Sequence, residues 1–288
     1  SNMSAKPLIS VVLTTYNRSD ALTVVLGALE RQTDRDFEVV IADDGSQPAH
    51  RAHIYKAAQF SSLPLAHVWH PDVGFTVARA RNLGVAQSRG SYLILLDGDC
   101  VPDVDFVAQH RRLMQKGFLV NGSRCLLSEH FTQQVLHGSA EVVGKSWLYW
   151  LQLWVKGCSS KMAPLLRAPE MGVRLESDFR WRGIRSCNMG LWRTDFERVN
   201  GFDSSFQGWG HEDADLVLRM FHAGVRRKNG FFATEVFHLW HNEASRNRAS
   251  ANEDTVRQRM QSDIVRAPLG LKECRVVEDF DIVTFANW

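Results

Sequence analysis

An α/β fold with a mostly parallel central sheet flanked by helices follows from three observations in the N-terminal third of the chain. Short β-branched apolar runs alternate there with segments of helical periodicity. Each run is too uniformly apolar for a half-exposed strand, and several of the runs end in a polar cluster. Strands alternating with helices imply βαβ units with right-handed crossovers. In such sheets, ligands sit beyond the carboxyl ends of the strands.

Residues 8–15 (LISVVLTT) make the first buried strand, and residues 16–20 a polar loop. Ser19 or Asp20 is placed to cap a helix that carries Leu22, Val25, Leu26 and Leu29 at helical spacing. Residues 37–42 (FEVVIA) form the second strand and run into Asp43-Asp44-Gly45-Ser46. A helix over 49–60, a short strand over 65–69 and a helix over 77–88 come next. Residues 92–96 (YLILL) then make a strand that enters Asp97-Gly98-Asp99. Beyond Asp99 the pattern loosens. Residues 126–182 are rich in Trp, Lys and Arg and take no assignment. Order returns over 186–215, with turn residues at Asn200-Gly201 and 208–210. A helix over 213–223, a strand over 231–240, a polar helix over 244–259 and a strand-like tail over 276–288 complete the chain.

Bulk properties set the outer bounds. With 288 residues, 44% hydrophobic and 23% charged, the chain suits one large domain or two small ones. A net charge of +2 and the lack of a basic stripe argue against a nucleic-acid partner. The five cysteines (Cys100, Cys125, Cys158, Cys187, Cys274) are odd in number and contain no Cys-x-x-Cys pair, which fits reduced thiols in a cytoplasmic protein. Ser1 and Asn2 precede Met3 and read as an expression remnant, and no secretory signal follows them. The greasiest stretch, 147–155 (WLYWLQLWV), falls well short of the roughly 20 residues a membrane span needs. It lies within a lysine-flanked segment, 145–161. That segment suits a core element, a membrane-surface contact or the lining of an acceptor pocket.

Three constellations carry chemistry. In Asp97-Gly98-Asp99, two carboxylates follow a buried strand and face one cation if the chain turns at Gly98. Hard divalent ions such as Mg²⁺ and Mn²⁺ take such oxygen ligands and often bind substrate phosphates as well. An exposed Asp-Gly turn is the bland alternative, and the position at the active edge argues against it. In Gly208-Trp209-Gly210-His211-Glu212-Asp213-Ala214-Asp215, acids in a first helical turn complement the helix dipole. That does not account for the preceding Gly-Trp-Gly, which presents Trp209 as a stacking face for a sugar. In His238-Leu239-Trp240-His241, two imidazoles three apart are able to join Asp99 around one metal.

SVVLTTYNR, VVIADDGS and ARARNLGVAQSRGSYLILLDGD together resemble the nucleotide-binding half of family-two glycosyltransferases with the GT-A fold. NMGLWRTDFERVNGFDSSFQGWGHEDADLVLRM resembles the C-terminal motif of β-1,4-galactosyltransferases and bacterial chondroitin-type polymerases. The matches run from about residue 8 to residue 241, interrupted by an uncovered middle segment. The resemblance implies a GT-A domain over 3–245, split into a nucleotide-binding half (3–124) and an acceptor and catalytic half (125–245), with a C-terminal extension over 246–288. It places Thr14, Tyr16 and Arg18 at the base and ribose, and Asp44 at the uracil. Arg79 and Arg81 fall near the base and phosphates, and Asp97 near the ribose or a metal-bound water. Asp99, His238 and His241 become ligands of Mn²⁺ or Mg²⁺. Asp213 takes the part of the base and Glu212 holds sugar hydroxyls. His211 stands where relatives often carry Gly, which implies a narrower or differently polar donor pocket.

The expected activity is an inverting, metal-dependent transfer of a sugar, Gal or GalNAc in type, from a UDP-sugar to a glycan or lipid-linked saccharide. The expected setting is bacterial surface-polysaccharide synthesis in the cytoplasm, with peripheral contact at the inner membrane face. Two rivals are a silent carbohydrate or nucleotide-sugar binder and a sugar nucleotidyltransferase. The latter normally carries a Gly-rich phosphate loop near the N-terminus, and TTYNRSDA is not one.

Overall fold

A computed structural model describes residues 6–74, 76–208, 210–243, 249–274 and 279–288. The N-terminal elements alternate as β1 (Ile9–Thr15), α1 (Ser19–Glu30), β2 (Phe37–Asp43), α2 (Pro48–Ala58), β3 (Leu65–Trp69), α3 (Val77–Gln87) and β4 (Tyr92–Asp97). β3, β2, β1 and β4 lie side by side, all parallel. Successive side chains of β1 point to opposite faces. Val11 and Leu13 join a core with Leu22, Val25 and Leu29 of α1, whereas Val12 joins a second core with Leu83 and Val85 of α3. Burial on both faces is why these strands are almost wholly apolar.

The second half is more mixed. β5 (Cys100–Pro102), α4 (Phe106–Leu113), β6 (Phe118–Asn121), β7 (Ser123–Leu126), α5 (Glu129–Leu136) and α6 (Trp147–Val155) are followed by a 3₁₀ turn and β8 (Leu175–Glu176). Then come β9 (Asn188–Trp192), α7 (Arg193–Arg198), α8 (Glu212–His222), β10 (Arg226–Asn229), β11 (Glu235–His238), α9 (Ala249–Met260), α10 (Leu271–Cys274) and β12 (Asp281–Thr284). The main sheet has the order β12-β3-β2-β1-β4-β9-β6-β10-β8, with β9 antiparallel to both neighbours and β12 an antiparallel edge strand on β3. A small second sheet, β5-β11-β7, sits beside it.

Several expectations change. Ser19 and Asp20 do not cap α1. Arg18 holds the cap position, and the Ser19 hydroxyl turns to His50 and His53, 2.9 Å from each. The strand expected over 231–240 shrinks to β11, because Phe232 takes a left-handed φ of 53° and Thr234 N–H closes a turn onto Gly230. β10 (RRKN) went unassigned because its buried residues are charged: Lys228 meets Glu170 at 3.0 Å and Arg227 meets Glu176 at 2.7 Å. The first residues of the polar helix expected over 244–259 lie outside the described residues, as do 276–278 of the tail. α9 packs on α8 through Arg259, whose guanidinium bridges Asp203 and Asp215 at 2.8 and 2.7 Å.

The lysine-flanked aromatic segment joins the core along one side only. Trp150 is fully buried and stacks on Phe237 with ring centroids 4.2 Å apart and planes 9° from parallel. Trp147 and Trp154 of the same helix are 69% and 45% exposed.

Candidate active site

Strand register assembles the site. β1 pairs with β4 so that Thr14 lies opposite Asp97, and β1 pairs with β2 so that Thr15 lies opposite Asp43. The polar ends of three strands therefore reach one edge together. Beyond β4 the chain turns at Gly98, whose N–H donates to the Thr14 carbonyl at 2.7 Å. A Cβ at Gly98 would sit 2.4 Å from that carbonyl oxygen, so no larger residue fits the turn. The turn feeds β5, which pairs antiparallel with β11 and sets His238 opposite Cys100.

One cluster forms there. His238 Nε2 lies 3.4 Å and His241 Nε2 3.6 Å from Asp99 Oδ2. Burial alone would raise the Asp99 carboxyl, but His238 and His241 outweigh it and hold the group below its usual range. Burial would likewise depress His238, yet its contact with Asp99 raises it. His238 Nε2 is buried and makes no hydrogen bond among the described residues. A buried, unpartnered imidazole nitrogen aimed at a carboxylate, with a second imidazole beside it, is a donor set that fits a divalent cation.

A second cluster lies on the other side of Asp97. Thr14 Oγ1 donates to Asp97 Oδ1 at 2.9 Å, and Arg81 Nη2 donates to the same oxygen at 3.1 Å. Arg81 Nη1 reaches Glu212 Oε1 at 3.5 Å. The buried Arg81 thus ties the start of α8 to the end of β4. Burial opposes its charge, and Asp97 and Glu212 more than restore it. Glu212 is followed by Asp213, which accepts from the Ala214 N–H at 2.8 Å and the Ser186 N–H at 3.3 Å.

These two adjacent acids are both raised by burial. The Glu212 carboxyl is pushed up to about 7 by desolvation and then by the Asp213 charge, against the pull of Arg81. A carboxyl raised above an ordinary value of 4.5 binds more protons when folded, so this group makes stability fall as pH rises from about 4.5 to 7. Glu212→Gln should flatten that decline. Urea midpoints for both proteins at about pH 5 and pH 8 check this, and parallel pH dependence would contradict it.

The residues expected at the nucleotide base make local contacts of their own. Tyr16 donates to Asp72 at 2.6 Å, which holds the phenol proton. Asp44 accepts from the Thr76 N–H and hydroxyl at 3.0 and 2.5 Å, and His70 Nε2 lies 3.1 Å from it. Arg18 donates to Asp20 at 3.2 Å and lies within electrostatic reach of Asp99. Arg79 has no hydrogen bond or ion pair to these groups among the described residues, and its Nε is buried and unpartnered. Trp209 lies outside the described residues. His211 adopts a left-handed φ of 71° at the start of α8, its ring edge-on to Trp181 at 5.3 Å. That backbone explains why Gly is at home in the position.

Sequence reading missed Asp72, His70 and Thr76, which lie on irregular chain between β3 and α3. It also missed Asn188. This buried residue donates to the Ser123 and Thr234 carbonyls at 3.1 and 2.5 Å and meets His110 at 2.9 Å, locking β9 to the small sheet. Its one visible signal is an amide at the head of an apolar strand.

Comparison with known proteins returns two matches in sequence order. Residues 10–167 match glycosyl transferase family 2, and residues 171–242 match the N-terminal domain of galactosyltransferase. Validoxylamine A glucosyltransferase of Streptomyces hygroscopicus subsp. jinggangensis is 30% identical over 236 residues, covering 76% of this chain and 52% of that protein. Chondroitin synthase of Pasteurella multocida is 25% identical over 233 residues, covering 75% of this chain and 23% of the synthase. The chain thus spans about half of the first relative and about a quarter of the second. Among solved structures, Staphylococcus aureus TarS superposes with a TM-score of 0.59 at 14% identity, over 92% of this chain and 41% of that one. The mannosyltransferase PcManGT of Pyrobaculum calidifontis, in complex with GDP-Man and Mn²⁺, gives 0.54 at 16%, over 83% and 59%. Both share the GT-A-like fold.

Proposed function

From the premise that the chain belongs to glycosyl transferase family 2, we propose that it catalyses an inverting, divalent-metal-dependent transfer of a sugar from a UDP-sugar to a glycan or lipid-linked saccharide hydroxyl. The observation that carries this is the division of the acids between two clusters. Asp99, His238 and His241 converge on one point, while Glu212, with Asp213 next to it, belongs to the group that Arg81 ties to Asp97. Mn²⁺ or Mg²⁺ held by Asp99, His238 and His241 would neutralise charge developing on a leaving diphosphate. The fold neighbour PcManGT, a mannosyltransferase in complex with GDP-Man and Mn²⁺, supports that expectation.

Each residue then takes one role. Asp44 accepts from the uracil, and Tyr16 and Arg18 serve the base and ribose. Thr14 and Asp97 face the ribose, and Arg79 and Arg81 lie toward the phosphates. Trp209 stacks on the sugar, and Glu212 accepts from its hydroxyls. Asp213, half-buried and raised above an ordinary carboxylate, takes the proton of the acceptor hydroxyl as that oxygen attacks the anomeric carbon. A base on the face opposite the leaving group gives one displacement and inversion. Gal or GalNAc is the favoured sugar and surface polysaccharide the favoured product, in keeping with the galactosyltransferase and chondroitin synthase matches. The catalytic unit is placed at 3–245, with 246–288 as an extension.

A donor screen tests the proposal. UDP-, dTDP- and GDP-sugars with Mn²⁺ or Mg²⁺ should show nucleotide release, or a thermal shift, with a UDP-sugar and none after EDTA. A metal-independent response, or one confined to GDP-sugars, would overturn it.

No helix among the described residues is long and apolar enough to cross a membrane. We place peripheral contact on the exposed face of α6, where Trp147, Leu148, Trp154 and Val155 form one helical stripe near Lys145 and Lys156. Trp147→Ala with Trp154→Ala should abolish co-sedimentation with anionic vesicles while leaving the fold intact, because Trp150 holds the core side. Unchanged sedimentation would remove α6 from this role.

A further inference from the structure

One face of α9 reaches the start of α8. Asn252, Val256 and Arg259 follow one another at spacings of four and three residues, and so share a side of the helix. Asn252 is buried, and its Nδ2 donates to the carbonyls of Gln207 and Gly210, at 3.0 Å to each. Gln207 and Gly210 flank the position of Trp209 in the chain. Val256 is fully buried against Phe206 and Leu218. Arg259 completes the row on Asp203 and on Asp215, in the first turn of α8. The chain that enters α8 is left-handed at Gly208, Gly210 and His211, with φ of 72°, 111° and 71°. A residue other than glycine keeps that conformation only where its surroundings impose it. Carbonyls of such a turn lie outside any helix or strand ladder, so side-chain donors set their direction. Glu212 and Asp213 follow this turn directly, and their placement depends on it.

We propose that Asn252 is a positioning residue for sugar transfer. By holding the Gln207 and Gly210 carbonyls it fixes the turn that sets Glu212 and Asp213 in place, which makes the C-terminal extension part of the working unit. It acts through that backbone rather than on a reacting atom. This rests on the reading of Glu212 as the holder of sugar hydroxyls and of Asp213 as base. Arg259 anchors α9 to the same end of α8, but its removal would leave the buried Asp203 and Asp215 carboxylates without this cation and endanger the fold. Asn252 is therefore the residue to change.

Asn252→Ala in the full chain tests this by two measurements. Amide hydrogen exchange over 207–218 should rise by about tenfold, the factor one lost hydrogen bond carries, with β1 and β4 unchanged. With Mn²⁺ and a UDP-sugar that the wild type turns over, kcat should fall by about 10- to 100-fold, as for a misplacement near 1 Å. UDP affinity should stay within about twofold, below the tenfold that a lost contact would cost, because the residues expected at the base and the metal lie on other elements. Asn252→Asp keeps the shape but turns carboxylate oxygens toward the two carbonyls, so it should lose at least as much as alanine. An unchanged kcat, or an aspartate variant nearer the wild type than the alanine one, would overturn the proposal. Exchange raised equally in β1 and β4 would also overturn it, by making the effect one of global stability. If Asp213→Asn turns over normally while Asn252→Ala does not, the base reading fails and the positioning role stands on the turn and Glu212. The reverse pair of results fails the positioning role alone.

Discussion

Asp213→Asn should lower sugar transfer by about 10²- to 10⁴-fold, the usual contribution of a positioned general base, while UDP and metal still bind. The amide is nearly isosteric and keeps an oxygen to accept from the Ala214 and Ser186 N–H groups, so the start of α8 should not move. What it cannot do is take a proton. The substitution also removes the neighbouring charge that helps lift Glu212 toward about 7. The pH profile should therefore change along with the rate. In the wild type, transfer should rise with pH through an apparent value above the ordinary carboxylate range, and that value belongs to the coupled Glu212–Asp213 pair. Initial rates across pH, paired with calorimetric UDP titration, check both. Near-normal turnover with intact UDP binding would remove Asp213 from this role.

The second large effect is expected at Asp99. Asp99→Ala removes the oxygen on which His238 and His241 converge. Activity should fall by about 10²- to 10³-fold, as when one preorganised electrostatic stabiliser is lost. Mn²⁺-dependent thermal stabilisation by UDP should disappear with it. The fold should survive, because the tie between the strands at this point is the Leu239 N–H to the Asp99 backbone carbonyl, 2.9 Å, which alanine keeps. A variant that still gains stability from UDP only when Mn²⁺ is present would place the metal elsewhere.

The N-terminal half was legible because its physics is local. β1, β2 and β4 are buried on both faces, so their apolar runs stand out, and the polar residues ending them fall at one edge once the strands are parallel. The start of α8 was legible for the same reason, a dense acidic turn after glycines. β10 was illegible because its buried Arg227 and Lys228 are stabilised by Glu176 and Glu170 from distant chain, and local patterning carries no sign of such pairs. Trp150 and Trp154 look alike in sequence. Only the neighbouring Phe237 decides that one is core and the other faces outward. The Asp44 surroundings escaped notice because Thr76 and His70 reach it from irregular chain.

The proposed division into a metal-ligand cluster and a separate carboxylate base predicts a single displacement, and the product's anomer reports on it directly. With a UDP-sugar that is turned over and water as the acceptor, proton NMR can follow the released sugar before mutarotation scrambles it. An α-linked donor should release the β-anomer first. First release of the α-anomer would mean a retained configuration, and would contradict Asp213 acting as base on the face opposite the diphosphate.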